Sequence, residues 1–381
     1  MKRQKICIIG GSLTGLVTAI SLSKLNCDID LIISNRESHK KSSRTIAISE
    51  SNLNFLDSLN ILKSFKKNVW ACSAMKLYTS DEKNKFSEIF NLDQSKRQKK
   101  VFYMIENFKT IKLKLNKIKK INSISIKKTK LIAEINNSGL LKTIKIKKKN
   151  HKYNLIIICT GNTSELVKTY FNDKKIENSY REKSITGILS HNPIKNDIAR
   201  QVFLEEGILA FLPISKKKTS IVFSLNKNFD ENNEIIKKKI LFYSKNYLAN
   251  PSISKKLESR NLNFLLRDKY YKDRTLLFGD ALHTIHPFVG QGFNMTLRDL
   301  FSLEKILRKK ISLGMDIGSE DILSEFSQET KPRNFAFALG TDFLKSSFKS
   351  KKFRDQILIL LNKNNFGKNI FFNIANKGLE F

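Results

Sequence analysis

Residues 5–33 constrain the fold more than any other part of this chain. Lys5-Ile-Cys-Ile-Ile9 is a short apolar, β-branched run that stops at glycine, as a fully buried strand does. Gly10-Gly11-Ser12-Leu13-Thr14-Gly15 follows, and LVTAISLSKL then repeats apolar residues at the helical positions Leu16, Ala19, Ile20 and Leu22. Asp30-Leu-Ile-Ile33 is a second apolar strand. Strand, glycine turn, helix and strand make a βαβ unit, which sets a helix N-terminus where a pyrophosphate can rest. The G-x-G-x-x-G template is met at Gly10 and Gly15, with Ser12 at its middle glycine. The acid expected after the second strand to hold a ribose is absent. Ser34 and Asn35 stand there, with Glu37 just beyond.

A second stretch carries more information. Arg274-Thr-Leu-Leu-Phe278 is another apolar strand, and it runs into Gly279-Asp280. An Asp at the carboxyl end of a strand in an open α/β sheet faces the ligand crevice, where it can accept hydrogen bonds from sugar-like hydroxyls. Pro287 fixes the backbone, and Gly290-Gln291-Gly292 leaves room for a flat ring against the main chain. A helix is expected from Phe293, with Asn294 in its first turn. The free N–H groups and positive dipole end of that helix suit an anion in the loop, such as the charge a reduced flavin carries.

Composition narrows the partners. Lys and Arg number 70 against 35 Asp and Glu, a formal charge of +35. The lysines are scattered, and runs such as IKKTK and KIKKK read as solvated strand ends or turns. No aromatic-interleaved basic motif appears, so nucleic acid is not an expected partner, whereas loose attraction to an anionic membrane is. Cys7, Cys27, Cys72 and Cys159 show no metal-ligand spacing, and a reducing cytosol suits them. The basic start and apolar run at the N-terminus imitate a signal peptide, but a Gly-Gly turn breaks the run and no cleavage site follows. No apolar segment reaches the roughly 20 residues of a membrane span. His283 and His286 lack a third ligand and are expected as hydrogen-bonded turn residues, with no metal. Trp70 is expected to pack. The Phe-rich tail from Phe335 to Phe372 is expected to form amphipathic helices, packed by default and otherwise a docking face for a partner or membrane. The stretch 226–260 is expected to be helical connection. No acid/base pair or nucleophile is assigned.

GDALHTIHPFVGQGFNMTLRD, residues 279–299, resembles the GD…H…P…GQG.N…..D signature of the single-component flavin monooxygenases of the p-hydroxybenzoate hydroxylase fold. Within that family the chain is most similar to the ubiquinone-biosynthesis hydroxylases. Arg44-Thr-Ile-Ala-Ile-Ser49 resembles the family's R-x-x-A-L-S segment, and Phe102-Tyr-Met-Ile-Glu-Asn107 its G-Y-x-V-E-N helix start. Gly207-Ile-Leu-Ala-Phe-Leu-Pro213 and Ser220-Ile-Val-Phe-Ser224 resemble its G-x-x-A-x-L-P…S-x-V-W strands. The likeness runs from Ile6 to Gly378. It departs at Thr160 and Val167, where the family's A-D-G-x-x-S-x-V-R segment has its acid and arginine, while Gly161 and Ser164 remain.

The resemblance implies an α/β fold. Its Rossmann-like FAD-binding domain would be discontinuous, from 1–75, 101–180 and 262–335. A mixed-sheet substrate domain would come from 76–100 and 181–261, with C-terminal helices over 336–381. Gly10, Gly11 and Gly15 would bind the FAD pyrophosphate, with Ser12 and Thr14 in the same loop and Ser34 and Gly161 beside it. Arg44 would contact the ribose or phosphate side, and Gly279 and Asp280 the ribityl or pyrophosphate region. Pro287, Gly290, Gln291, Gly292, Phe293 and Asn294 would frame the isoalloxazine, with Pro287, Gly290 and Gln291 forming the environment of the reacting ring. The implied activity is aromatic hydroxylation by FAD, NADPH or NADH, and O₂. The implied substrate is a polyprenylated phenol of ubiquinone synthesis. The implied setting is cytoplasmic, peripheral at the inner face of the membrane, with quinone-synthesis partners or a second copy of the chain. Two other readings stay open: the same chemistry on another aromatic or isoprenoid substrate, and a non-catalytic scaffold.

Overall fold

The computed structural model describes residues 3–34, 44–62, 68–83, 85–93, 99–106, 118–129, 135–146, 149–229, 232–253, 256–287, 290–348 and 350–378. Asn35, Glu37 and Asn107 lie outside the described residues. The eight α-helices among the described residues are α1 (Leu13–Leu22), α2 (Glu50–Ser58), α3 (Glu165–Tyr170), α4 (Asn233–Ser244), α5 (Gly292–Ser312), α6 (Glu320–Ser347), α7 (Lys351–Lys363) and α8 (Asn365–Lys377).

The first apolar run, Gln4–Ile9, lies inside a six-stranded sheet. It pairs in parallel with Cys27–Ser34 on one side and Leu155–Ile158 on the other, and the latter pairs in parallel with Thr275–Leu277. Ile6, Cys7, Ile8 and Ile9 are all buried, as a strand covered on both faces requires. α1 packs its Leu16, Ala19, Ile20 and Leu22 into the same core, together with Leu297, Leu300 and Leu303 of α5. All four cysteines are buried and reduced, and burial pushes the thiols of Cys27, Cys72 and Cys159 up.

A nine-stranded, largely antiparallel sheet forms the second layer. Its central strands are Lys175–Ser190, Lys218–Asn226 and Gly207–Ser215. Lys175–Ser190 and its partner Glu258–Arg267 run through the junctions expected at 181 and 261. The alternation along these strands sorts the side chains. Ile185, Leu209, Phe211, Ile221 and Phe223 pack under α4 through Ile236 and Ile240. Ala199, Ile208 and Leu212 face the other way, in a cluster that takes in Leu344, Phe348, Leu358 and Leu361 of α6 to α7 and its flanks.

Two expectations fail. Phe102–Glu106 is a strand and not a helix start, paired antiparallel with Thr45–Ile48 and Val69–Cys72 in a three-stranded sheet. Phe102, Met104 and Ile105 are buried, and two strand partners supply the hydrogen bonds that override local sequence likeness. Among the described residues of 226–260, only α4 is an α-helix, and Ser252–Ile253 and the start of Glu258–Arg267 are strands. Trp70 packs beside the Met75 cluster and donates its Nε1–H to the Asn196 carbonyl at 2.6 Å.

Candidate active site

The parallel strands bring their carboxyl ends to one edge of the sheet. Gly10–Gly15 follow Ile9, Ser34 ends its strand, Gly161 lies just beyond Ile158, and Gly279 and Asp280 lie just beyond Leu277. Ligands of open α/β sheets bind at such an edge.

Close approach explains the first loop. A Cβ on Gly15 would stand 2.0 Å from the Gly10 carbonyl oxygen, so α1 starts directly against the turn. Ser12 caps α1 without a side-chain cap bond, and no acid occupies the helix's first turn. α5 begins in the same way, with Gln291 contributing no side-chain cap and no acid in the first turn. Each helix therefore presents its free N–H groups and positive end to an anion. The two motifs meet at Gly279, whose φ is +64° and whose absent Cβ would lie 2.8 Å from Cγ2 of Thr14.

Both helix starts open on one cavity of about 750 Å³, a size suited to a cofactor or large ligand. Ser12, Leu13 and Thr14 line it from the first loop, and Pro287, Gly290, Gly292 and Phe293 from the second. Arg44 and Asp280 line it as well. Gly10, Gly11, Gly15, Ser34, Gly161, Gly279, Gln291 and Asn294 are not among its lining residues, while Asn162 and Thr163, next to Gly161, are. Burial is the larger cause that lowers the Arg44 pKa, the nearby Arg260 charge adds to it, and Asp280 and Glu258 oppose it. Arg44, Arg260 and Asp280 thus share the cavity wall, and the Glu258 charge acts on Arg44 from nearby.

The opposite wall belongs to the nine-stranded sheet and was not singled out from sequence. Met75, Ala199, Ile208, Ala210, Leu212 and Val222 form its apolar part. Ser184, Thr186, Gln201 and Ser224 interleave polar groups. The signal was present as alternation, since residues two apart on a strand share a face, as Ser184 does with Thr186 and Val222 with Ser224. Thr45 joins the two layers here, donating to Ser220 Oγ at 2.9 Å. Arg260 lines the cavity from the strand Glu258–Arg267, and only the pairing of that strand brings it near Arg44.

Asn294 has a different task from the ring contact expected of it. Its side chain is 1% exposed. Its Oδ1 accepts from the Ser49 N–H at 3.0 Å and from Asn52 Nδ2 at 2.9 Å, while its Nδ2 donates to the Ala47 carbonyl at 3.0 Å. It therefore pins the head of α5 to the Arg44–Ser49 segment, and only its backbone is left to meet a ligand. Gln291 is also buried, and its Oε1 accepts no hydrogen bond among the described residues.

The two histidines have separate carboxylate partners, and only His286 lies outside regular structure: His283, expected in a turn, stands in the short strand His283–Thr284 paired with Leu265 and Leu266. His283 Nε2 meets Asp299 Oδ2 at 2.8 Å, and Asn334 donates to the same carboxylate at 3.0 and 3.1 Å. His286 Nε2 donates to Glu182 Oε2 at 2.9 Å. Among the described residues no group of three His, Cys, Asp or Glu side chains is placed to hold a metal ion.

The arrangement fits FAD. The glycine cradle admits no Cβ, two uncapped helix starts face one cavity, and a carboxylate and an arginine stand where hydroxyls and phosphate would lie. A model of the FAD binding domain matches residues 155–337. The ubiquinone biosynthesis monooxygenase COQ6 of Dictyostelium discoideum is 22% identical over 97% of this chain and 88% of its own. The ubiquinone hydroxylase UbiL of Rhodospirillum rubrum is 26% identical over 43% of this chain and 40% of its own. Among solved structures, p-nitrophenol 4-monooxygenase PnpA from Pseudomonas putida superposes with a TM-score of 0.79 at 15% identity, over 98% of each chain. PqsL from Pseudomonas aeruginosa, in complex with 2-aminobenzoylacetate, superposes with a TM-score of 0.78 at 15% identity, over 93% of this chain and 99% of its own. At that identity the structures speak for the fold alone. With the FAD-binding match, the COQ6 likeness along almost the whole length and the shared fold, the chain is an FAD-dependent monooxygenase with the p-hydroxybenzoate hydroxylase fold.

Proposed function

We propose that this monooxygenase hydroxylates the ring of a polyprenylated phenol on the way to ubiquinone. The observation that carries the proposal is the two-sided cavity. One wall has the anion-binding helix starts, and the other is an apolar sheet face broken by hydroxyls. The names of COQ6 and UbiL point to the same substrate class.

Residue roles follow from position. Gly10, Gly11, Ser12, Thr14 and Gly15 would seat the FAD pyrophosphate at the head of α1, with Ser34 and Gly161 at neighbouring strand ends. Arg44 would pair with a phosphate, and Asp280 would accept from sugar or ribityl hydroxyls. The backbone of Pro287, Gly290, Gly292 and Phe293 would frame the ring system, and the buried Gln291 Oε1 would be an acceptor for a donor on it. Residues 1–75, 101–180 and 262–335 would form the FAD layer, and 76–100 and 181–261 the substrate layer. When bound, FAD supplies two-electron chemistry between NAD(P)H, O₂ and an electron-rich ring. The chain's own part is to orient the phenol along Ala210, Leu212 and Val222, to exclude water there, and to hold negative charge at the head of α5. Lipid mass spectrometry on a host lacking its own ring hydroxylases tests the assignment. Expression should produce one new hydroxylated quinone precursor. An unchanged profile with FAD-loaded protein would transfer the activity to another substrate.

A lipid-borne substrate also calls for a route from the bilayer, and α6 to α8 offer one. Phe343, Leu360 and Phe366 are 70%, 70% and 73% exposed, whereas Phe348, Leu358 and Phe372 of the same region are buried in the cluster that includes the cavity residues Met75 and Ala199. From 351 to 378 the only acid is Asp355, which pairs with the buried Arg354 and so leaves Lys351, Lys352, Lys363, Lys368 and Lys377 as the remaining charges. We assign this face to peripheral contact with an anionic membrane, to which each basic residue adds about 1 kcal/mol. No helix among the described residues is long and apolar enough to cross a membrane. Phe343→Ser, Leu360→Ser and Phe366→Ser together should cut co-sedimentation with phosphatidylglycerol vesicles at least about tenfold. Equal binding by the triple variant would remove this face from the mechanism.

A further inference from the structure

Glu182, His286 and Lys345 come from three separate parts of the molecule. Glu182 lies on the strand Lys175–Ser190, where the register against Glu258–Arg267 slips between Ser179 and Glu182 and Arg181 takes a positive φ of 53°. Such a slip re-aims a side chain, and the strained residue beside it costs about 1 kcal/mol or more. The carboxylate that it delivers is doubly used. Oε2 accepts from His286 Nε2 at 2.9 Å, and Oε1 accepts from Lys345 Nζ of α6 at 2.6 Å. The three side chains are 17%, 1% and 7% exposed. Tyr180 closes the cluster, its ring edge-on to His286 at 4.9 Å and beneath the Lys345 ammonium at 4.3 Å.

Burial lowers the His286 pKa more than Glu182 raises it, which leaves a neutral imidazole to donate. Burial alone would raise Glu182, but hydrogen bonds from His286 and Lys345 outweigh it and keep the carboxylate ionised. The Glu182 carboxylate pairs with the Lys345 ammonium, as a buried charge needs, and Asp342 adds a second negative charge beside Tyr180 and His286. His286 immediately precedes Pro287, whose carbonyl accepts from the Gly290 N–H at 2.9 Å. Asn294, in the first turn of α5, already donates to the Ala47 carbonyl.

We propose that Glu182 and Lys345 form a clamp that positions His286, and through it Pro287 at the cavity wall, against the substrate sheet. Its cargo is the flavin ring, so the proposal rests on the FAD reading of the cavity. Glu182, His286 and Lys345 are positioning residues here. The test uses the full chain titrated with FAD and reads the dissociation constant, the fine structure of the visible flavin bands and the melting midpoint of the FAD-free protein. Glu182→Gln with Lys345→Met removes both charges together, and His286→Ala cuts the tether but spares the ion pair. Each should weaken FAD about tenfold and blur the flavin bands, and His286→Ala should do so with little change in the FAD-free melt. Affinities within twofold of wild type with unchanged bands in His286→Ala would overturn the clamp alone. A wild type that holds no FAD would overturn the flavin reading and the clamp with it.

Discussion

Gly15→Ala should yield a folded protein that has lost FAD, with affinity down at least about 100-fold, or close to 3 kcal/mol. The added Cβ would stand 2.0 Å from the Gly10 carbonyl oxygen, and that neighbour is backbone, which cannot rotate aside. The turn must move away from α1. Each hydrogen bond from a helix N–H to a charged phosphate contributes about 1.5–3 kcal/mol, so displacing one or two accounts for the loss. Stability should fall as well, by about 2–4 kcal/mol, because the crowded atoms belong to the central βαβ unit. Gly139→Ala is the control. That glycine has a positive φ, +58°, unlike Gly15, and open space surrounds its missing Cβ. It should cost about 1–2 kcal/mol through backbone strain and leave FAD binding unchanged. Equilibrium FAD titration and thermal melts of the FAD-free variants would decide. Wild-type affinity in Gly15→Ala would mean that the pyrophosphate sits elsewhere.

Asp280→Ala should remove FAD binding and monooxygenase activity together. Asp280 lies one residue beyond the glycine that closes on Thr14, at the carboxyl end of Thr275–Leu277, and its side chain opens on the cavity. A carboxylate that accepts from two ligand hydroxyls contributes about 3–5 kcal/mol, so the affinity should drop by roughly 100- to 5,000-fold. Two functions of this carboxylate separate experimentally. If it accepts from hydroxyls, Asp280→Asn keeps an acceptor oxygen and should recover part of the affinity. If it serves only to offset Arg44 and Arg260, both variants should bind an anionic nucleotide such as ADP more tightly than wild type does. Quinone synthesis that survives Asp280→Ala intact would sink the flavin mechanism.

Much of the nucleotide layer was legible because its signals are local. Lys5–Ile9, the loop to Gly15 and the spacing of Leu16, Ala19, Ile20 and Leu22 each occupy one short window, and the structure has a strand, a turn and α1 there. The 279–299 stretch was readable for the same reason, down to the start of α5. Phe102–Glu106 was misjudged as a helix start because its strand state comes from partners at Thr45–Ile48 and Val69–Cys72, which no local pattern announces. Asn294 was placed correctly in the first turn of α5, yet its amide points inward to Ala47, Ser49 and Asn52, some 245 positions away in the case of Ser49.

By itself, then, the sequence determined the βαβ start, the glycine loops and the helix heads, because backbone conformation and hydrophobic period are set by neighbours along the chain. Only the tertiary structure decided which side chains share a cavity. Arg260 reaches Arg44 through strand pairing, the apolar wall of Ala210 and Val222 exists only once the sheet is assembled, and Glu182 meets His286 and Lys345 across 104 and 163 residues. Such contacts depend on register and on a slip at Arg181, and a one-residue change in register would turn those side chains to the other face of the sheet.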